Sequence, residues 1–243
     1  MISAAMIVKN EERCVARAIN SLLLAVDEII VVDTGSTDRT IDIIRELQAK
    51  HDKVKLHHFE WQDNFAAARN YSLSLVSHEW VFSIDADEVL LEEHWDRPRK
   101  YTQWLDNQGK KAAMHIVLDN TVAGEITNTY ETGCVRIFPS DLRYVDMVHE
   151  TVDTTGLETM KSDIHLLHDG YDQAAVNQLD KKKRNLLLLH KNLKVDPRNA
   201  HLWFQLGREM MDFDQAKGNH YLDIAASFTT DQSLLNWISK SRK

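Results

Sequence analysis

The sequence has few of the residues that mark specialised classes of protein. Its 243 residues include two cysteines, Cys14 and Cys134, which are too few for a disulfide framework and favour the reducing cytoplasm. Eight glycines and three prolines argue against fibrous and disordered classes. Near the N-terminus the longest apolar stretch runs only from Ala4 to Val8, which is too short for a signal peptide or a membrane span. We therefore expect a globular, cytoplasmic chain.

Basic residues are outnumbered by acidic ones. The 29 lysines and arginines stand against 37 aspartates and glutamates, so the formal net charge is -8. This acidity argues against non-specific binding to nucleic acid. A hydrophobic fraction of 43% is enough for an ordinary core, and the length suits one main domain with a smaller addition.

Strand and helix patterns alternate through the first hundred residues. Short apolar runs, typical of strands buried on both faces, occupy residues 3–8, 28–33, 54–59 and 80–84. Apolar residues at helical spacing predict helices over residues 11–24, after a cap at Ser36 or Thr37, and over 64–76. This order predicts an α/β fold with a mainly parallel sheet and right-handed crossovers.

The pattern changes after Glu88. The further predicted elements, two strands and then two helices, are 112–118, 133–138, 178–193 and 199–211. The polar residues 119–132 between the strands are expected to form a loop or hairpin over the ligand site. We expect a sheet domain at residues 1–175 and a small helical extension at residues 176–243.

Polar residues follow two of the predicted strands where those strands end. In an open α/β sheet, ligands bind at the carboxyl ends of the strands. Asp33 ends one strand and is followed by Gly35, which permits a tight turn, and by the hydroxyls of Ser36 and Thr37. The segment suits the base or sugar of a nucleotide, although a capped turn explains it equally well.

The second strand end carries two acids separated by one residue, Asp85 and Asp87. Because residues i and i+2 of a strand point the same way, one carboxylate can reach a ribose hydroxyl and the other a cation. Mg²⁺ and Mn²⁺ favour carboxylates together with phosphate oxygens of a substrate. Solvated acids at a strand end are the simpler alternative. An EF-hand is excluded, because Val89 and Leu90 stand where its fifth and sixth loop positions belong.

Four segments, in order along the chain, resemble the family 2 glycosyltransferases with the GT-A fold. They are residues 6–11, 31–38, 65–70 and 84–88. Three looser segments resemble a subgroup of short bacterial members: residues 136–138, 148–150 and 168–171. The resemblance implies a GT-A domain, in which a mainly parallel sheet forms a Rossmann-like sandwich, and a nucleotide-sugar transferase activity.

The resemblance also implies which residues bind the nucleotide. Asp33 would contact the uracil or ribose, and Asp85 would hold the ribose. Arg69 would approach the base or the diphosphate, although an ion pair on the helix surface is the alternative. Lys9 would lie near the nucleotide at the end of the first strand. Thr34 departs from the family, since many members have a second aspartate there.

The metal and the catalytic base are implied in the same way. Asp87 would bind Mn²⁺ or Mg²⁺, and His168 would be a further metal ligand or a phosphate contact, unless it is an ordinary structural histidine. Transfer with inversion needs one carboxylate to accept the proton of the acceptor. Glu150 is the candidate and Asp146 is the alternative, while an exposed loop acid remains the simpler explanation for each.

The expected function is an inverting, metal-dependent glycosyltransferase. Its donor would be a nucleotide sugar, UDP-hexose or UDP-N-acetylhexosamine, and its acceptor a saccharide, a lipid-linked glycan or a peptide. Synthesis of bacterial surface polysaccharide is the expected setting, with peripheral membrane association and a homodimer left open. The alternative is a catalytically inactive, transferase-like domain that acts as a binding or scaffold module.

A second resemblance lies near the C-terminus. Trp203, Leu206, Gly207 and Met210 have the spacing of the first helix of a tetratricopeptide repeat, with Met in place of the usual Tyr. One repeat cannot form a solenoid. The segment could be a remnant packed on the sheet domain, a dimer contact, an acceptor-binding surface or an ordinary amphipathic helix.

Overall fold

The computed structural model describes residues 1–131, 134–169 and 175–242, with side chains described outside residues 175–180. Its contacts divide the chain into two units, Met1–Asp172 and Gln173–Lys243. The strands are β1 Ile2–Val8, β2 Glu28–Asp33, β3 Val54–His58, β4 Trp80–Ser83, β5 Glu88–Leu90, β6 Ala112–Val122, β7 Glu125–Tyr130, β8 Val135–Pro139, β9 Tyr144–Val145, β10 Thr151–Val152 and β11 Glu158–His168. The helices are α1 Val15–Leu22, α2 Thr40–Lys50, α3 Phe65–Ser74, α4 Arg97–Asn107, α5 Ala175–Val195, α6 Ala200–Met210, α7 Gln215–Ser227 and α8 Gln232–Ser241.

The first unit is built on one mixed sheet with the order β3-β2-β1-β4-β8-β6-β11-β5, and β7 pairs with β6. The first four strands of this order are parallel. The next pairs, β4 with β8 and β8 with β6, are antiparallel. The predicted α/β fold is confirmed, and the predicted parallel pairing holds for the strands that carry the nucleotide motifs.

The hydrophobic core lies between this sheet and its helices. Every residue of β2 is buried, as are all four residues of β4, which is why these segments show continuous apolar runs. On α1 the buried side chains are those with helical spacing: Val15, Ala18, Ile19 and Leu22.

Several predicted boundaries are wrong. Residues 119–122 belong to β6, and the polar stretch forms the hairpin of β6 and β7, which is one of the two alternatives predicted. The strand β7 itself was not predicted, because every one of its residues is exposed and shows no alternation. Helix α1 begins at Val15 rather than Glu11. Neither Ser36 nor Thr37 caps α2, since the Asp38 carboxylate accepts the backbone N–H of Thr40 at 3.0 Å. Gly133 lies outside the described residues.

The loops after β1 and β2 are bound to each other. The side-chain oxygen of Asn10 accepts the backbone N–H of Thr37 at 2.8 Å, and the backbone N–H of Asn10 donates to the Ser36 hydroxyl at 2.9 Å. Gly35 has a φ of 105°, a conformation that side chains disfavour. These contacts hold the two loops at the carboxyl edge of the sheet, where ligands bind in such folds.

At the opposite end of β2, Glu28 is buried and fully hydrogen-bonded. Its carboxylate accepts the Ser3 hydroxyl at 2.7 Å and the Ser77 backbone N–H at 2.8 Å, and it forms an ion pair with Lys55. Burial alone would raise its pKa, but the hydrogen bonds from Lys55, Ser77 and Ser3 lower the pKa of Glu28 to about 2.

We expect Glu28→Gln to destabilise the protein at neutral pH and to reduce its sensitivity to acid. Because the folded-state pKa lies below the unfolded value of about 4.3, the ionised form stabilises the fold above about pH 5 and loses this effect between about pH 4 and pH 2. The contribution at pH 7 is about 3 kcal/mol. Urea unfolding at pH 7 and pH 3 measures it, with the exposed Glu46→Gln as control. Equal acid sensitivity in parent and Glu28→Gln proteins would contradict the assignment.

The second unit consists of α5 to α8. Helices α6 and α7 approach closely at two glycines: a Cβ on Gly207 would lie 2.8 Å from the Leu222 side chain, and one on Gly218 would lie 3.0 Å from the Gly207 carbonyl. The rings of Trp203 and Tyr221 meet across this contact, with their centroids 5.5 Å apart and their planes tilted by 46°. Two helices joined by a turn are also the unit of a tetratricopeptide repeat. No helix among the described residues has the length and apolar character to span a membrane.

Candidate active site

The carboxyl end of β2 places Asp33 in a closed turn. Its carboxylate accepts the backbone N–H of Gly35 at 3.0 Å and that of Ser36 at 3.1 Å, and His58 lies 3.6 Å away. Asp33 therefore stabilises its own turn, and its expected contact with the nucleotide stays a prediction. Lys9, after the neighbouring β1, is exposed.

Asp85 lies between two arginines from different elements. One oxygen accepts from Arg69 of α3 at 2.8 Å, and the other accepts from Arg136 of β8 at 2.8 Å. Burial would raise the pKa of Asp85, but Arg136 and Arg69 hold it well below its usual range. The side chain still has 30% of its surface exposed, so an ionised carboxylate at the sheet edge remains accessible to a ligand.

Glu150 joins the same network through Arg69. The Nε of Arg69 donates to Oε1 of Glu150 at 2.6 Å, while its other arm binds Asp85. The guanidinium lies over the ring of Tyr144, 5.3 Å from the centroid, and the Tyr144 hydroxyl lies 2.7 Å from that of Ser83. A buried arginine thus links the carboxylate after β4 to the carboxylate before β10.

Asp87 and His168 form a second pair beside this network. Nδ1 of His168 lies 2.6 Å from the side-chain oxygen of Asn120, and Nε2 lies 3.4 Å from a carboxylate oxygen of Asp87. Because an amide oxygen only accepts, Nδ1 carries a proton and Nε2 points towards Asp87. Burial lowers the pKa of His168, but Asp87 and the neighbouring carboxylates raise it above its usual value overall.

The structure brings most of the predicted residues together. Arg69 donates hydrogen bonds to both Asp85 and Glu150, and Asp87 contacts His168. Asp146 is different: it is exposed in the turn between β9 and β10, with a positive φ of 67°. Among residues 1–131, 134–169 and 175–242, no group of three or more His, Cys, Asp or Glu side chains is arranged to hold a metal ion. Tyr171, which the sequence placed in the same motif as His168, lies outside the described residues.

Sequence reasoning gave no role to Arg136 and Glu88. Glu88 is 1% exposed, forms an ion pair with Arg136 and accepts the backbone N–H of Asp85 at 2.9 Å. Burial raises the pKa of Glu88 to about 7, against the opposing effect of Arg136. A signal was present, because an arginine inside the apolar run of residues 135–138 needs a buried partner.

The fold defines a class. The chain superposes on the GT-A glycosyltransferase fold of Staphylococcus aureus TarS (residues 1–349) in complex with UDP-GlcNAc, with a TM-score of 0.56 and 13% sequence identity, over 93% of this chain and 80% of TarS. At this identity the comparison shows the fold alone.

The family follows from the sequence. Residues 3–120 match the model of Glycosyl transferase family 2, so this part of the chain is a family 2 glycosyltransferase domain. The "TPR repeat-containing protein Synpcc7942_0270" of Synechococcus elongatus is 32% identical over 85% of this chain and 51% of its own length. The "SPbeta prophage-derived glycosyltransferase SunS" of Bacillus subtilis is 26% identical over 99% of this chain and 53% of its own length. The chain thus spans about half the length of these curated relatives.

Proposed function

We propose that this chain is an inverting, metal-dependent glycosyltransferase. It would transfer a hexose or N-acetylhexosamine from UDP to a saccharide, a lipid-linked glycan or a peptide. One observation carries the proposal: Arg69 bonds both Asp85, the proposed ribose ligand, and Glu150, the proposed base. The UDP donor rests on the TarS complex and on the family match.

The proposed reaction is a single displacement. The acceptor oxygen attacks the anomeric carbon and gives its proton to Glu150, and the bond from that carbon to the diphosphate breaks, so that UDP leaves with the electron pair. Among the described residues, only Arg69 donates to the Glu150 carboxylate, and it uses Oε1. Oε2 is then the atom that accepts the proton.

Asp87 and His168 fit a divalent cation. The proton on Nδ1 of His168 is held by Asn120, as is usual for a metal-binding histidine, and leaves Nε2 facing the Asp87 carboxylate. Mn²⁺ and Mg²⁺ need only one or two side chains when a phosphate completes the coordination. When bound, the cation would offset charge on the departing diphosphate. The two side chains would hold the cation beside Asp85, which lies two residues before Asp87 in the chain.

A donor screen tests the proposal. Purified protein is incubated with Mn²⁺ and a panel of UDP-, GDP- and dTDP-sugars without acceptor, and the released nucleoside diphosphate is measured. We expect slow hydrolysis of one UDP-hexose or UDP-N-acetylhexosamine, and none in excess chelator. Tight UDP binding without hydrolysis or transfer would instead support the inactive binding or scaffold module. Hydrolysis of a different nucleotide sugar would overturn the choice of UDP.

The cellular setting remains part of the proposal. The low cysteine content supports a cytoplasmic location. Bacterial surface glycan synthesis, peripheral membrane association and a homodimer are consistent with the family but rest on no contact among the described residues.

A further inference from the structure

We propose that two arginines at the start of α1 form a binding site for the diphosphate of the donor. Arg13 lies two residues before the helix, and Arg17 lies in its first turn. The inference rests on the proposed function and adds two ligand-binding residues to it. Both arginines bind one buried carboxylate, that of Asp169, which follows directly after β11. Asp169 is 7% exposed, so it is an anchored partner rather than a mobile surface acid.

The position of this group relates it to the metal pair. Asp169 follows His168 in the chain, and its backbone N–H donates to the Asp87 carbonyl at 3.2 Å. In the antiparallel pairing of β5 with β11, His168 stands opposite Glu88. The two arginines are therefore held at the same sheet edge as the carboxylate proposed to bind the cation.

The arginines have donors to spare. Arg13 gives two N–H groups to Asp169, at 2.8 and 3.1 Å, and Arg17 gives one. A guanidinium has five N–H donors, and among the described residues Asp169 is the only hydrogen-bond acceptor of either group. Their side chains remain 45% and 49% exposed. The structure thus holds two guanidinium groups in place by one side and leaves the other donors to solvent.

Phosphate is the ligand that suits this geometry. The planar guanidinium matches two phosphate oxygens at once, and paired arginines are common where phosphate is recognised. Two guanidinium groups and two carboxylates lie near each other in this cluster: Asp169 binds both arginines, and Glu11 accepts the Cys14 thiol at 3.1 Å and interacts electrostatically with Arg13. Donors fixed in advance at the place where negative charge develops would stabilise the departing diphosphate.

The simpler explanation is that the arginines only secure the end of β11. The two explanations predict different binding of ligands with and without a diphosphate. A diphosphate site affects UDP but not uridine, whereas a structural clamp affects both ligands alike. They also differ for Asp169→Asn, which removes the clamp but leaves both guanidinium groups available to phosphate.

The test measures affinities for UDP and uridine by calorimetry with Mn²⁺ present. We expect Arg13→Gln/Arg17→Gln to bind UDP about 10- to 100-fold more weakly, with uridine affinity unchanged. Asp169→Asn should lose clearly less UDP affinity than the double variant. Arg45→Gln, an exposed arginine of α2 outside the cluster, is the matched control and should bind like the parent. Thermal unfolding checks that each variant is folded.

The outcomes separate this inference from the proposed function. Unchanged UDP affinity in the double variant, or an equal loss for UDP and uridine, would overturn the diphosphate site while the parent still binds UDP. Equal losses in Asp169→Asn and the double variant, for uridine as well as for UDP, would assign the arginines to the clamp alone. A parent protein that binds neither ligand would contradict the UDP donor itself, and the arginine site with it.

Discussion

Glu150→Gln should lower glycosyl transfer by about 10²- to 10⁴-fold, which is the usual contribution of a general base. Glutamine keeps the shape and the oxygen that accepts from Arg69, but it cannot accept the acceptor's proton. Donor affinity should change little, because the base contacts the acceptor. Transfer is measured by product formation and donor binding by calorimetry.

The control for this variant is the other acid of the same segment. Asp146→Asn should transfer at the parent rate, because Asp146 is exposed and has no described contact with the Arg69 network. The reverse result, an inactive Asp146→Asn and an active Glu150→Gln, would show that the wrong acid was chosen. Full activity of both variants would place the base in another segment.

Asp87→Ala should lower donor turnover by about 10³-fold or more, since a cation on a departing diphosphate contributes several kcal/mol. It should also remove the dependence of UDP affinity on Mn²⁺, which calorimetry with and without the metal detects. The fold should be retained, because the Asp87 side chain has His168 as its described ion-pair partner and lies at the edge of the sheet.

A matched acid on another element supports the interpretation. Asp42→Ala, an exposed residue of α2, should leave both turnover and the metal effect unchanged. Full turnover of Asp87→Ala, or full turnover of the parent in excess chelator, would contradict the metal assignment. If Asp87→Ala loses turnover but its UDP affinity still depends on Mn²⁺ as in the parent, Asp87 has a role other than metal binding.

The buried arginines show why residue roles are harder to predict than elements. Arg69 could be selected from the sequence because it lies in a family motif, but its simultaneous bonds to Asp85 and Glu150 join positions separated by up to 81 residues. Arg136 binds Asp85 at the same distance as Arg69 does, but the sequence gives no role to it. Charge pairing between distant segments leaves no periodic pattern along the chain.

Most of the strands after β6 were also hard to predict from the sequence. β7 is exposed throughout, and β9 and β10 have two residues each, so neither length nor alternation reveals them. β11 alternates only in part and pairs in parallel with β6 across a register shift near Lys161. Long-range pairing, rather than local preference, makes these segments strands.

The sequence by itself determined the alternating strands and helices of the first hundred residues, because burial on both faces requires continuous apolar runs. The resemblance to family 2 glycosyltransferases was also readable from it, because four motif segments follow one another in order along the chain. Only the tertiary structure decided that Asp33 closes its own turn and that Asp146 is exposed. It alone placed Glu150 against Arg69, because that contact depends on how separate segments pack and not on any residue's neighbours in the chain.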